Sequence, residues 1–266
     1  LKPVFGTAEG SVVALAGSGT AALEAAAASL LSPGEPVVVL IAGVFGQRWA
    51  DICLAFGAEV IELTCPHGQG FDGQSLASRL ETMAPGNLVF ATHNETSTGV
   101  LNDIPGIAYV CRNKEAILSV DAVSSLGGAA MAMDQWGVDL VCSASQKCLM
   151  TPPGLGFVAF GPRAKERMAA SKAHKYYLDL RRYEELLPKG LVPFTPNISH
   201  LFALQAALKR LHQYGLEESF RRHRLMANMA RAGIEALGLE LLAPSQWASP
   251  TTTAALFPKA NELRAY

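Results

Sequence analysis

Apolar and polar positions fall in blocks along this chain. Six short runs are dominated by Val, Ile, Leu, Phe and Ala: PVVVLIA (36–42), AEVIEL (58–63), NLVFAT (87–92), AILSVDA (116–122), VDLVCSAS (138–145) and GLGFVAF (154–160). Runs of this length, apolar on nearly every position, predict strands covered on both faces, as in a parallel sheet. Between the runs, 3.6-residue spacing predicts helices over residues 20–31, 47–56, 73–82 and 105–113. The first stops before Pro33-Gly34, which cannot continue it. Strand and helix in alternation imply an α/β fold: a largely parallel sheet with flanking helices. After Pro162 the pattern turns helical to about residue 237, as in SHLFALQAALKRLHQYG. LELLA and TTTAALF then predict strands of a smaller α+β unit. The expected organisation is a large domain over 1–190, a helical connection over 191–237, and over 238–266 the start of a small C-terminal domain, cut short at residue 266.

Composition narrows the partners. The chain has 266 residues, 22 basic and 23 acidic, and a net charge of -1. That balance gives no field for nucleic acid or an anionic membrane, and no basic cluster interleaves with aromatics. The five cysteines, Cys53, Cys65, Cys111, Cys142 and Cys148, are odd in number and form no CxxC pair. They imply free thiols in a reducing compartment, hence a cytoplasmic protein. The six histidines lack metal-site spacing, so no metal is expected. The start, LKPVFGTAEG, lacks the pattern of a signal peptide, and Gly, Pro, Glu or Gln interrupts every long apolar window. No membrane span is expected.

Four stretches carry candidate chemistry, each just beyond a predicted strand or opening a helix, where α/β sheets gather ligands. AGSGTAALEAA leads Gly17, Ser18, Gly19 and Thr20 into a helix. It reads either as a phosphate cup built from free helix N–H groups or as an ordinary Ser/Thr cap. VDAVSS places Asp121 at a strand end, either to hold a protonated ring nitrogen or to cap a turn. THNETSTGV is a polar turn holding Asn94, Glu95, Thr96, Ser97 and Thr98. SASQKCLMTPPGLGFVAF holds one lysine, Lys147, among small, apolar and proline residues. Shielded from water, such a lysine has a lowered pKa and is a competent amine nucleophile; otherwise it is a structural lysine reaching for solvent. Singly, each stretch has an ordinary reading. In this order, the four are what pyridoxal 5'-phosphate demands: a phosphate cup, a polar turn, a carboxylate for the ring nitrogen and a lysine for the Schiff base.

The same segments carry a resemblance. GSGTAALEAA, GVFGQRWADI, HNETSTGV, VDAVSSLGG and SQKCLMTPPGLGF are similar to the fold-type I, class V pyridoxal-phosphate aminotransferases, above all the alanine–glyoxylate and serine–pyruvate (or serine–glyoxylate) branch. The match runs over residues 17–160 and continues more loosely through YYLDLRRY and PFTPNISHLFAL. The resemblance implies catalytic roles for Lys147 and Asp121, with residues 1–190 as the cofactor-binding domain. Ser18, Gly19 and Thr20 would meet the phosphate, Thr20 standing where some relatives have histidine. Phe45 would stack on the ring, Thr96 would lie near the phenolic oxygen, and Gln146 would touch the phosphate. Thr195 would reach the phosphate of a partner subunit, implying a homodimer with shared active sites. The substrates implied are a small amino acid (alanine, serine or aspartate) and a 2-oxo acid such as glyoxylate or pyruvate.

The pattern departs from the family in two places. Full-length relatives have an N-terminal arm and a longer C-terminal domain whose arginine grips the substrate carboxylate; Arg264 comes too early to match it. The chain is therefore expected to be a fragment. Three rival readings remain at this level. A cysteine desulfurase or related class V lyase usually has histidine where Gln146 and Phe45 stand. A nucleotide-binding domain would need a strand fingerprint before GSGT and a ribose-binding acid after it. A catalytically silent protein would have no reason to keep Lys147, Asp121 and the cup together.

Overall fold

The computed structural model describes residues 1–80 and 87–257. In chain order its elements are α1 (Lys2–Phe5), β1 (Ser11–Ala16), α2 (Gly19–Leu30), β2 (Pro36–Ile41), α3 (Val44–Ala55), β3 (Glu59–Thr64), α4 (Gly73–Leu80), β4 (Leu88–Thr92), β5 (Asn94–Glu95), β6 (Val100–Leu101), α5 (Ile104–Asn113), β7 (Ile117–Asp121), α6 (Met133–Trp136), β8 (Leu140–Ala144), β9 (Leu155–Phe160), α7 (Pro162–Ala170), α8 (Leu180–Leu186), α9 (Ile198–Tyr214), α10 (Leu216–Ala236), β10 (Glu240–Leu241) and β11 (Ala255–Leu256). The last two residues of the helix expected over 73–82 lie outside the described residues, as does Arg264.

All six apolar runs are strands of one seven-stranded sheet, ordered β1-β9-β8-β7-β4-β2-β3. From β8 to β3 every pairing is parallel, whereas β9 runs against both β8 and β1. β1 therefore points the same way as β8. The C-terminal ends of β1, β8, β7, β4 and β2 all reach one edge of the sheet.

β1 corrects the expectation that no strand precedes GSGT. Its pattern, SVVALA, buries only Val13 and Leu15. It lies at the border of the sheet, as β3 does on the other side.

Alternate residues of the strands feed two cores. On one face, Val38, Val89, Leu118, Val141 and Phe157 pack with Leu76 of α4 and Ile107 of α5. On the other, Val39, Phe90, Leu140 and Val158 pack with Leu23 of α2 and Trp49 of α3. The Trp49 and Phe90 rings lie 4.9 Å apart. Alanines 25–28 of α2 are fully buried, and their small side chains let the helix lie close on the sheet. α9 and α10 differ: their buried residues are only Leu204, Leu211, Phe220 and Ala227. β10 and β11 pair over two residues each, far less than LELLA and TTTAALF suggest.

Candidate active site

The cup follows from β1. The chain leaves Ala16, Gly17 N–H donates to Gly154 O at 3.0 Å, and α2 begins. Ser18 is the N-cap, its Oγ accepting from Ala21 N at 3.3 Å. The earlier N–H groups of α2 stay available to an anion. Gly19 fixes where this helix start lies. A Cβ there would stand 2.9 Å from Val123 and 3.2 Å from Ala144, so only glycine lets α2 close onto the ends of β7 and β8.

Asp121 ends β7 with 4% of its surface exposed. Val123 N–H donates to its Oδ1 at 2.8 Å; Oδ2 accepts no hydrogen bond among the described residues. Burial pushes this carboxyl up to about 7, opposed by the Val123 N–H, reinforced by the charge of Glu95, and opposed again by Arg48 and Lys147. Amine and acid thus act on each other within one electrostatic site. A buried carboxylate with one unpartnered oxygen is incomplete without a charged N–H donor. The protonated ring nitrogen of pyridoxal phosphate is such a donor, and the open helix start suits its phosphate, so the residues present fit the cofactor.

The turn after β4 supplies the polar frame. Thr92 pairs with Asp121 in register, and His93 N–H donates to Asp121 O at 2.8 Å. The Ser124 hydroxyl accepts from Asn94 Nδ2 at 2.7 Å and from Thr96 Oγ1 at 2.8 Å, and donates to Asn94 O at 3.1 Å. Glu95, fully buried, accepts from Phe45 N at 3.1 Å, Gly46 N at 3.0 Å and Ser97 Oγ at 2.5 Å. It caps α3 across fifty residues of sequence, which is why that helix starts at Val44, ahead of the expected residue 47. Phe45 is therefore in the first turn of α3 and half-buried. Arg48, one turn on, sets its guanidinium 4.8 Å from the Phe45 ring centre and donates to Thr20 Oγ1 at 3.3 Å. The i,i+3 spacing of Phe45 and Arg48 was the available signal for this pair. Nothing in the sequence marks Glu95 as a cap or Ser124 as a hydroxyl hub.

Lys147 lies just past β8 in a turn tied back on itself. Met150 N–H donates to Lys147 O and Thr151 N–H to Ser145 O, both at 2.9 Å, while Ser145 Oγ donates to Pro152 O at 2.7 Å. The lysine is exposed, contrary to the expectation of a shielded amine. A cavity of about 680 Å³ separates its turn from α9 and α10, so no element packs onto it. Thr96, Ser124, Lys147 and Cys148 line one wall, and Leu211, Tyr214 and Ser219 the other. Gln146 is also exposed and makes no hydrogen bond among the described residues. Thr195 is exposed beside Phe194, which packs on Tyr176, Tyr177 and Tyr183, and it contacts none of the residues above.

Among the described residues no helix is long and apolar enough to cross a membrane, and no three His, Cys, Asp or Glu side chains gather to hold a metal ion.

Known proteins are similar to this chain in sequence and fold. The profile of the family described as aminotransferase class-V matches residues 2–261. The small subunit of a soluble hydrogenase from Synechococcus sp. is 41% identical over 249 residues, which are 92% of this chain and 65% of that protein. The L-aspartate–glyoxylate aminotransferase of Paracoccus denitrificans is 36% identical over 248 residues, 91% of this chain and 62% of that protein. The chain thus spans somewhat under two thirds of the length of these relatives. The crystal structure of an alanine–glyoxylate aminotransferase from Nostoc sp. superposes with a TM-score of 0.94 at 33% identity, covering 100% of this chain and 71% of that one.

Proposed function

Because this chain belongs to the class-V aminotransferase family and has its fold-type I architecture, we propose that it moves an amino group from a small amino acid to a 2-oxo acid, with pyridoxal 5'-phosphate as cofactor. Alanine, serine or aspartate is the donor, and glyoxylate or pyruvate the acceptor. The observation that carries the reading is buried Asp121, one carboxylate oxygen unpartnered, within the electrostatic reach of Lys147.

Bound in this site, pyridoxal phosphate supplies an aldehyde for amines to condense with and a ring that takes up the electron pair left at the substrate Cα. The chain's own residues do the rest. The Lys147 amine would hold the aldehyde end and, when free, would take a proton from the substrate Cα and return one. Asp121 would hold the ring-nitrogen proton and keep positive charge where the electron pair must go. Ser18, Gly19 and Thr20 bind the phosphate at the start of α2, and Gln146 turns to it from the lysine's own turn. Phe45 covers one ring face. Thr96, whose hydroxyl is tied to Ser124, would lie near the ring oxygen. Thr195 serves the partner's site in a homodimer, and its exposure agrees with that role. Residues 1–190 form the cofactor domain, 191–237 a helical connection and 238–266 part of a small domain. Cys53, Cys111, Cys142 and Cys148 are free thiols, which suits a cytoplasmic setting.

Two rivals fare worse. A desulfurase needs a mobile thiolate, yet Cys148 is packed against Ser124 O and burial pushes its thiol up to about 11. Hydrogen activation, as in the name of the Synechococcus relative, would call for a metal-ligating cluster, and no three His, Cys, Asp or Glu side chains gather for one among the described residues.

The test is a spectrum followed by a panel. The purified chain with pyridoxal phosphate should gain a visible absorbance band that borohydride abolishes, leaving the reduced adduct on Lys147. Alanine, serine or aspartate should then be deaminated beyond one equivalent of bound cofactor only when glyoxylate, pyruvate or oxaloacetate is present. An adduct on another lysine, or oxo acids left unaminated by every donor, would refute the assignment.

A further inference from the structure

Arg48 sits where three parts of the site meet. One N–H of its guanidinium donates to Thr20 Oγ1 at 3.3 Å, on the first turn of α2. The same group lies over the Phe45 ring, 4.8 Å from its centre. Its charge also acts on buried Asp121.

The bond to Thr20 has a directional consequence. A hydroxyl that accepts from a guanidinium must point its own hydrogen elsewhere. Thr20 Oγ1 donates to nothing among the described residues, and at the second position of α2 it has no preceding helical turn to bond back to. Its proton is thus held in reserve at the open N-terminus of α2. Residues 17–20 contribute no positive side chain, so Arg48 is also the cation placed at this end of the helix.

We infer that Arg48 is a cofactor-positioning residue: it orients the Thr20 hydroxyl as a donor to a phosphate monoester and ties that end of the site to the Phe45 wall. This rests on the aminotransferase reading above. A lysine at 48 would keep the charge, but it lacks the planar fork that can stack on Phe45 while donating to Thr20.

A double-mutant cycle tests it. Wild type, Arg48→Gln, Arg48→Lys, Thr20→Val and Arg48→Gln/Thr20→Val are titrated with pyridoxal phosphate and, separately, with phosphate-free pyridoxal, followed by absorbance; melting of the cofactor-free proteins reports folding. Losing a charge-assisted contact predicts about tenfold weaker pyridoxal phosphate binding for Arg48→Gln. Thr20→Val should lose a similar factor and the double variant little more, because the two act as a unit. Arg48→Lys should recover part of the loss, and pyridoxal binding should change by less than about threefold, since only the stacking contact is removed. If Arg48→Gln melts early, the ratio of the two ligands cancels the general loss of folded protein and still decides. Wild-type affinity in Arg48→Gln, multiplicative losses in the double variant, or equal weakening of both ligands would overturn the inference while leaving the aminotransferase reading intact. Failure of the wild type itself to bind pyridoxal phosphate would overturn both.

Discussion

Asp121 and Lys147 end adjacent strands of one sheet, yet the fold treats them in opposite ways. The acid is buried, bonded through Oδ1, and loaded with a burial cost that pushes it up to about 7. The amine stands in water on a surface turn. The acid's task is therefore written into the folded chain before any ligand arrives. The amine keeps its rotamer freedom and takes up one position only on bonding, at an entropic cost of up to ~2 kcal/mol. Affinity and stability should answer to the acid, chemistry to the amine.

The largest expected effect belongs to the amine. Lys147→Ala should cut turnover by at least about a thousandfold, while melting of the cofactor-free protein stays within error, as expected of an exposed position. A marked drop in melting temperature would contradict the contrast.

Asp121→Asn should lower turnover by about a hundredfold or more and should also change stability. The sign follows from linkage. Between about pH 4 and 7 the folded protein keeps the Asp121 proton that the unfolded chain has lost, so rising pH destabilises the cofactor-free protein across that window. Asparagine never ionises, so the variant's melting temperature should gain on wild type as pH climbs from 4 to above 7. His93 contributes with the opposite sign. Its imidazole is fully buried and held neutral down to about pH 4, so stability falls as pH drops from 6.5 toward 4. Asp121→Asn should expose that His93 slope. A melting difference independent of pH would show that Asp121 is not carrying its proton as argued.

Two smaller effects probe the frame around the acid. Glu95→Gln leaves the backbone donors of α3 facing an amide, and a poorly satisfied cap there should cost ~1–3 kcal/mol in melting with a severalfold loss of cofactor affinity. Ser124→Ala removes the hydroxyl between Asn94 and Thr96, and should cost ~1 kcal/mol of stability and about fivefold in turnover. Isothermal denaturation and steady-state kinetics measure both.

Much of this was legible in the sequence because the chemistry sits where strands stop. Each of the six apolar runs announced a strand, and the residues just past three of them, or opening α2, supplied the candidate site. What failed to show depends on distance in the chain. β1 was missed, although the opposite border strand, β3, is more exposed still. The start of α3 was misplaced because its cap, Glu95, comes from another strand's turn. Arg48 drew no notice because Thr20 meets it only once α2 and α3 lie side by side, and its i,i+3 spacing from Phe45 was not read. The apolar neighbours of Lys147 suggested shelter, but flanking residues do not say what packs over a turn.

One departure from the parallel pattern bears on how the lysine works. Because β9 reverses direction, the chain re-enters the sheet ten residues after leaving β8, with no crossover helix in between. The peptide carrying Lys147 is moored fore and aft to central strands and cross-braced by the hydroxyl of Ser145, which also accepts from Leu155 N at 3.3 Å. Its backbone is thus a fixed pivot. The ammonium's sweep is set by four methylene groups rather than by any swing of the loop, so shortening or lengthening that arm by one carbon would test its reach more directly than any change in the turn.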